Sequence, residues 1–271
     1  MINDKKIGII GCGNMGEAIL SRLCAVLEKS TSIMVSEMNT ARREAILEKY
    51  KIIVEIDNNY VVKFADVIIL AVKPQDLESV LKQEVCCGIS NKKLVISIAA
   101  GITTEHIEKV VGKDVPVVRA MPNMPAVVGE AVTAICAGSA ADRKSLDTAK
   151  EIFATIGDVV EVDESLMGAV TAISGSGPAY FFYLTEALAG AAMKLGLDKK
   201  TAEVLAVRTL IGSAKLLDVP GACPKALRAK VTSKGGTTEA ALKIFDEKGL
   251  KKLVEDAARA ACMRSQELSK R

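Results

Sequence analysis

Through the first half of the chain and beyond, short apolar runs alternate with stretches in which apolar residues recur every three or four positions. Lys6-Ile7-Gly8-Ile9-Ile10 is a run of the first kind and ends at glycine. Residues 15–28, with Met15, Ile19, Leu23 and Val26 at helical spacing, are of the second. The same reading predicts strands at 33–36, 52–55, 66–72, 94–98, 116–119 and 131–137, and a helix over 40–50 with Thr40 as its N-cap. The run Asp66-Val67-Ile68-Ile69-Leu70-Ala71-Val72 is β-branched and nearly continuous, as expected of a parallel strand covered on both faces. Strands interleaved with helices predict a parallel, doubly wound α/β sheet. From Ser165 onward the pattern changes. Helices are predicted over 166–172, 178–195, 201–217, 224–231, 238–248 and 249–268, and no strand is. The expected organisation is an α/β domain over 1–163 and an all-helical domain over 164–271. Small residues at Ala187, Ala189, Gly190, Ala191 and Ala192 let helices approach closely, and so apolar a helical half is expected to be covered by a second subunit.

Composition narrows the partners. The 271 residues carry a net charge of +3, 3% aromatics and no Trp. There is no basic block, which argues against a nucleic-acid partner. No apolar run approaches the ~20 residues that span a bilayer, and the polar start leads directly into a strand, so a membrane partner is not expected and the cytoplasm is. Cys12, Cys24, Cys86, Cys87, Cys136, Cys223 and Cys262 are odd in number and lack Cys-x-x-Cys spacing. Reduced, mostly buried thiols are expected, with no metal site and no disulfide framework. His106 is the sole histidine, and its Thr-Thr-Glu-His context reads as a helix start on the surface. That disfavours 2-hydroxy acid oxidation, which normally uses a positioned histidine base.

Gly11-Cys12-Gly13-Asn14-Met15-Gly16 follows a strand and opens a helix, the context in which a G-x-G-x-x-G run signals a Rossmann-type dinucleotide site. Gly11 permits the turn, Gly13 lets backbone approach a pyrophosphate, and Gly16 lets helix pack on strand. Glu37, at the end of the second strand, is placed to bind a ribose 2′-hydroxyl and favours NAD. Arg42 and Arg43 follow closely, and Ser36 and Asn39 are near enough to meet a 2′-phosphate, so NAD and NADP both stay open. Ala71-Val72-Lys73-Pro74 and Ser97-Ile98-Ala99-Ala100-Gly101 end the fourth and fifth strands on the same side. Met121-Pro122-Asn123-Met124-Pro125 follows the sixth, also where open α/β sheets bind ligands.

Two glycine-rich segments interrupt the helical half. Ser174-Gly175-Ser176-Gly177-Pro178 and Thr232-Ser233-Lys234-Gly235-Gly236-Thr237-Thr238 each precede a predicted helix. Hydroxyls and free backbone N–H groups at a helix start suit an anion such as a small carboxylate. There is no Ser-His-Asp set and no metal cluster; hydride transfer to a C=N bond would need less help from the protein, because the cofactor carries that chemistry.

These segments, in this order and across nearly the whole chain, resemble the pyrroline-5-carboxylate reductase family. The resemblance implies a Rossmann domain followed by a helical dimerisation domain, interleaved dimers that often form decamers, and reduction of pyrroline-5-carboxylate to L-proline. The implied cofactor is NADPH, with NADH as the alternative. It implies dinucleotide contacts at Gly11, Gly13, Asn14, Met15, Gly16, Ser36, Asn58, Ala71, Val72, Lys73 and Pro74, with Met121 and Asn123 near the nicotinamide. Ser233, Gly235, Gly236, Thr237 and Thr238 would hold the substrate, with Thr238 the candidate donor to the imine nitrogen. Lys234 departs from the proline usual in the family's Ser-Pro-Gly-Gly run, and Gly221-Ala222-Cys223-Pro224 stands where Glu-x-His-Pro is common, which leaves open a paralogue reducing a related cyclic imine or a non-catalytic dinucleotide-binding regulatory protein.

Overall fold

The computed structural model describes residues 2–27, 32–82 and 88–269. Cys86, Cys87 and the predicted last residue of the first helix, Glu28, lie outside them. The N-terminal part is built on eight strands: β1 (Ile7–Ile10), β2 (Ile33–Ser36), β3 (Ile53–Glu55), β4 (Val67–Leu70), β5 (Leu94–Ser97), β6 (Val117–Met121), β7 (Ala131–Ala137) and β8 (Gly157–Glu161). They lie in the order β3-β2-β1-β4-β5-β6-β7-β8. The first six strands are parallel and doubly wound, as the interleaved pattern predicts. Helices α1 (Asn14–Val26), α2 (Thr40–Tyr50), α3 (Asn58–Phe64), α4 (Pro74–Val80) and α5 (Thr104–Val111) make the crossovers. β1, β2, β4 and β5 are buried at every position, which explains their continuous apolar sequence.

Two features depart from the purely parallel expectation. β7 runs antiparallel to β6. Only a 3₁₀ turn, Met124–Val128, and Gly129 at φ +81° connect them, and a parallel return needs a crossover of a dozen residues or more. β8 pairs parallel with β7 after helix α6 (Arg143–Ala154). As a half-exposed edge strand it lacks the apolar run that marks the others.

Side chains alternate between two cores on opposite faces of the sheet. Ile7, Ile9, Ile33, Val35, Val67 and Ile69 join Ile19, Leu20 and Leu23 of α1 on one face. Ile10, Met34, Ile68 and Leu70 join Val61, Val62 and Leu77 on the other. Gly8 keeps α3 close to β1, since a Cβ there would lie 2.5 Å from Val61 Cγ1.

After β8 come a 3₁₀ turn (Glu164–Leu166), α7 (Met167–Val170), a π-helical turn (Thr171–Gly175), α8 (Gly177–Lys194), α9 (Lys199–Leu217), α10 (Pro224–Lys230), α11 (Thr237–Glu247) and α12 (Leu250–Leu268). The chain separates into two compact units, residues 1–176 with 261–271, and residues 177–260. The second unit has almost no interior. In α8 through α11 only Gly177, Ala189, Ala202 and Ala206 are buried. Phe182 is 58% exposed, Tyr183 74% and Leu195 86%. Among the described residues no helix is long and apolar enough to cross a membrane.

Candidate dinucleotide and carboxylate sites

The strand order reverses between β1 and β4, and their carboxyl ends form the crevice in which α/β sheets bind nucleotides. Gly11 turns the chain there at φ +83°, with its N–H on the Ser36 carbonyl at 2.9 Å. A Cβ on Gly16 would lie 2.6 Å from the Gly11 carbonyl oxygen, so the helix start packs on the turn only as glycine. Gly13 differs: an added Cβ meets nothing within 4 Å. Gly13 and Asn14 are exposed, and Gly13 is the N-cap of α1 without a side-chain cap bond. An open backbone corner at the N-terminus of a 13-residue helix fits a pyrophosphate.

The facing wall is the β4–α4 connection. Ala71 N–H bonds the Ile10 carbonyl at 2.8 Å, and Val72 abuts Gly11. Lys73 is exposed as the N-cap of α4 and Pro74 is its first residue, so this wall is stiff. Asn58, at the first position of α3, is buried.

Side chains around the turn lock it. Glu37 Oε2 accepts from Cys12 N–H at 3.0 Å and Oε1 from Asn39 N–H at 2.9 Å. Arg42 donates to the Cys12 carbonyl at 2.6 and 3.0 Å and to Glu17 at 3.1 Å. Arg42 is thus an anchor of the turn, where the bare helical pattern would leave it on a solvated face. Glu17 also accepts from Lys49 and from the Tyr50 hydroxyl, and the Lys49 bond foremost holds its carboxyl below the usual range. Burial, followed by the Glu17 charge, pushes the Cys12 thiol up to about 12, so no thiolate chemistry operates at the turn. Ser36 is 1% exposed and its hydroxyl has no partner among the described residues; its carbonyl serves the turn instead.

Asn123, expected near a nicotinamide, has its amide bonded to backbone on both sides. Its Nδ2 donates to the Ser174 carbonyl at 3.1 Å, and its Oδ1 accepts from Val132 N–H at 3.0 Å. It ties β7 to the π-helical turn. The 174–178 segment is correspondingly not a loop ending in a cap: Ser176 N–H reaches the Thr171 carbonyl at 2.8 Å, and the backbone stays helical through it. Met121 packs there, and a Cβ on Gly175 would lie 2.8 Å from its Cε. π turns recur at functional sites. We expect Asn123→Ala to cost about 2–4 kcal/mol, from two backbone groups left without partners, read in urea unfolding.

Arg119, buried inside β6, donates to Glu164 at 3.3 Å, and Glu164 also takes Thr104 N–H at 2.8 Å and its hydroxyl at 2.6 Å. No motif announces this tie, although an arginine within an apolar strand signals a buried partner. His106 is part-exposed and lies 3.0 Å from Glu78, apart from the glycine turn's contacts.

In the second unit, Ser233 to Thr238 form a tight turn into α11. Gly235 takes φ +75°, and its N–H donates to Glu239 Oε2 at 2.7 Å. A Cβ on Gly236 would lie 2.4 Å from Ser233 Oγ, so glycine lets the Ser233 hydroxyl fold under the turn. Gly236 is the N-cap of α11 with no side-chain cap bond. Ser233 and Thr237 are exposed and Thr238 is half-buried. An uncapped helix start ringed by three hydroxyls is chemically suited to a carboxylate.

Sheet topology and glycine turn together define a dinucleotide-binding protein of the doubly wound α/β class with a helical C-terminal half. Residues 164–268 match the family model described as pyrroline-5-carboxylate reductase dimerisation, and residues 6–101 match that described as NADP oxidoreductase, coenzyme F420-dependent. The chain belongs to the pyrroline-5-carboxylate reductase family and is an oxidoreductase of that family. It is 44% identical to a pyrroline-5-carboxylate reductase of Synechocystis over 98% of this chain and 99% of that one. A Methanosarcina acetivorans relative of the same description is 40% identical over the full length of both. A solved pyrroline-5-carboxylate reductase from Coxiella burnetii superposes with a TM-score of 0.92 at 37% identity, covering 98% of this chain and 99% of that one. A Plasmodium falciparum pyrroline carboxylate reductase structure with NADP bound superposes at 0.86 with 28% identity, over 98% and 99% of the two chains.

Proposed function

We propose that this chain reduces 1-pyrroline-5-carboxylate to L-proline with NAD(P)H, the last step of proline synthesis. The observation that carries the reading is the presence in one chain of two open helix starts: Gly13 before α1, suited to a pyrophosphate, and Gly236 before α11, suited to a small carboxylate. When bound, the nicotinamide would supply the hydride for the C=N bond, and the one proton the ring nitrogen needs would come from solvent, directly or through the Thr238 hydroxyl. Gly11, Gly13, Asn14, Met15 and Gly16 bind and orient the pyrophosphate, and Ala71, Val72, Lys73 and Pro74 wall it. Ser36 and Asn58 act from beneath through backbone and packing. Met121 borders the nicotinamide, and Asn123 sets that wall as a positioning residue. Ser233, Gly235, Gly236 and Thr237 hold the carboxylate and ring. The Thr238 hydroxyl donates a hydrogen bond to the imine nitrogen. Such positioning and charge stabilisation suffice for a reaction whose chemistry resides in the cofactor.

The family's dimerisation match and the exposed aromatics of α8 support a homodimer, and decamers of such dimers extend the same reading. We assign the activity to the cytoplasm, which suits the free thiols Cys12, Cys24, Cys136, Cys223 and Cys262. A spectrophotometric assay with pyrroline-5-carboxylate and either nucleotide tests the activity, and no nucleotide oxidation above background counts against it. Thr238→Ala is expected to lower kcat by roughly 10²-fold with nucleotide affinity unchanged. Equal loss of both, or of neither, removes Thr238 from its assigned role.

A further inference from the structure

We infer that Arg119, through its pair with Glu164, is a positioning residue for hydride transfer: it fixes the wall that Met121 gives the nicotinamide. The inference rests on the reading that the carboxyl edge of the sheet holds a reduced nicotinamide, and it adds a residue set back from that edge. Side chains alternate along β6, so Arg119 and Met121 share one face of the sheet, opposite the face that takes Val118 and Ala120. Arg119 is buried there. Among the described residues its one acidic partner is Glu164, Nη1 to Oε1 at 3.3 Å. A buried guanidinium without its counter-charge is costly, so the pair holds together.

Glu164 opens the stretch 164–176, which carries α7 and the π-helical turn. Three alternate residues from β6 onward grip that stretch. Arg119 holds Glu164, Met121 lies against Gly175, and Asn123 donates to the Ser174 carbonyl at 3.1 Å. Between these points Met167 and Val170 pack with Met121, Ala134 and Cys136. Glu164 also reaches a third element: its two oxygens take the N–H and the hydroxyl of Thr104, the first residue of α5, at 2.8 and 2.6 Å. One carboxylate therefore joins β6, the start of the 164–176 stretch and the β5–α5 connection. Asn123 and Gly175 hold only the far end of the stretch. Among the described residues, Arg119 makes the side-chain hydrogen bond that ties its near end to β6. Without it Met121 is free to shift against the nicotinamide, while the pyrophosphate stays gripped at the glycine turn. A misplacement on the order of 1 Å is enough to cost about 10²-fold in rate.

The test compares Arg119→Met, Glu164→Gln and the double variant with the unmodified full-length protein. Each single change leaves one charge without its partner and should lower the melting temperature. The double change removes both charges and keeps an amide oxygen for Thr104, so its melting temperature should return to within a few degrees. A pair that served the fold alone would regain turnover together with stability. The expected result is that the double variant stays about 10–100-fold low in kcat, binds reduced nucleotide within about threefold of the unmodified affinity, and shows a raised deuterium isotope effect on kcat. Recovery of kcat along with melting temperature would overturn the inference, as would a nucleotide affinity that falls as far as kcat. Arg119→Lys keeps the charge and covers the case in which the methionine variants do not fold. It should be a few-fold low in kcat with a raised isotope effect, and a lysine variant unchanged in both would overturn the inference. The emission of bound reduced nicotinamide needs no turnover. Binding without reduction of pyrroline-5-carboxylate would refute the proposed reaction, and the emission would still decide the part of Arg119: it should change in the double variant, and an unmoved spectrum counts against it. Binding of no nucleotide would overturn both.

Discussion

Gly13→Val should abolish dinucleotide binding and leave the fold intact. Gly13 has φ −66° and ψ −167°, extended backbone that valine adopts readily. An added Cβ touches nothing within 4 Å, so the substitution brings no internal clash. The branched side chain instead fills the corner where backbone N–H groups must come within ~3 Å of phosphate oxygens. Affinity should fall by more than about 10²-fold, the equivalent of two charge-assisted hydrogen bonds at ~1.5–3 kcal/mol each. Melting temperature should move by only a degree or two. Nucleotide titration and a thermal melt on one preparation separate the two effects. Retained binding would show that the pyrophosphate lies elsewhere, and a collapsed melt would show that Gly13 serves the fold. Its neighbours behave oppositely: Gly11 and Gly16 are crowded by Val72 and by the Gly11 carbonyl, so substitution there damages the turn itself.

The second large effect is on assembly. The double substitution Phe181→Asp with Phe182→Asp should convert the protein to monomer and abolish turnover. The two rings are 57% and 58% exposed on α8, in a unit whose helices bury only small residues. So much exposed apolar side chain leaves the isolated unit without a core, and a second copy supplies the missing cover. Burying a phenylalanine is worth ~1.5–3 kcal/mol, and a two-fold interface loses each ring twice, so the dissociation constant should rise by at least ~10⁴-fold. Buried aspartates add to that loss. Sedimentation velocity at micromolar concentration reads it directly. An unchanged oligomer would mean that this face of α8 is not where copies meet.

How much of this is visible before folding depends on whether the determinant is local. β1, β2, β4 and β5 lie fully buried in a parallel sheet, so their burial is written as unbroken apolar runs. The glycine turn is legible because its three glycines fall within six consecutive residues between a strand and a helix. β8 stays hidden because an edge strand with one wet face carries no such run. The π-helical turn at Thr171–Gly175 is hidden too: Gly175 reads as a break, whereas it is needed for a contact with Met121, more than fifty positions away. Asn123 reads as a polar residue on a ligand loop, and only the fold reveals that Val132 and Ser174 consume its amide. Glu37 is an intermediate case. Spacing announces an acid at the end of β2, but only the structure shows its two oxygens pinned between the glycine turn and α2. Arg42 sits on a helix whose pattern suggests solvent, and its bonds to the Cys12 carbonyl are set by how closely α2 returns to the glycine turn. Thr232 to Thr238 announce a tight turn into a helix by their glycines and hydroxyls, and that is what the chain forms ahead of α11.

The most direct check on the account is isotope transfer. The enzyme is incubated with pyrroline-5-carboxylate and reduced nucleotide carrying deuterium on one face of nicotinamide C4, and the product is analysed by mass spectrometry and NMR. With label on the transferred face, one deuterium should appear on Cδ of L-proline for each nucleotide oxidised, and with label on the other face none. Nucleotide oxidation without labelled proline from either form, or no proline at all, would contradict it.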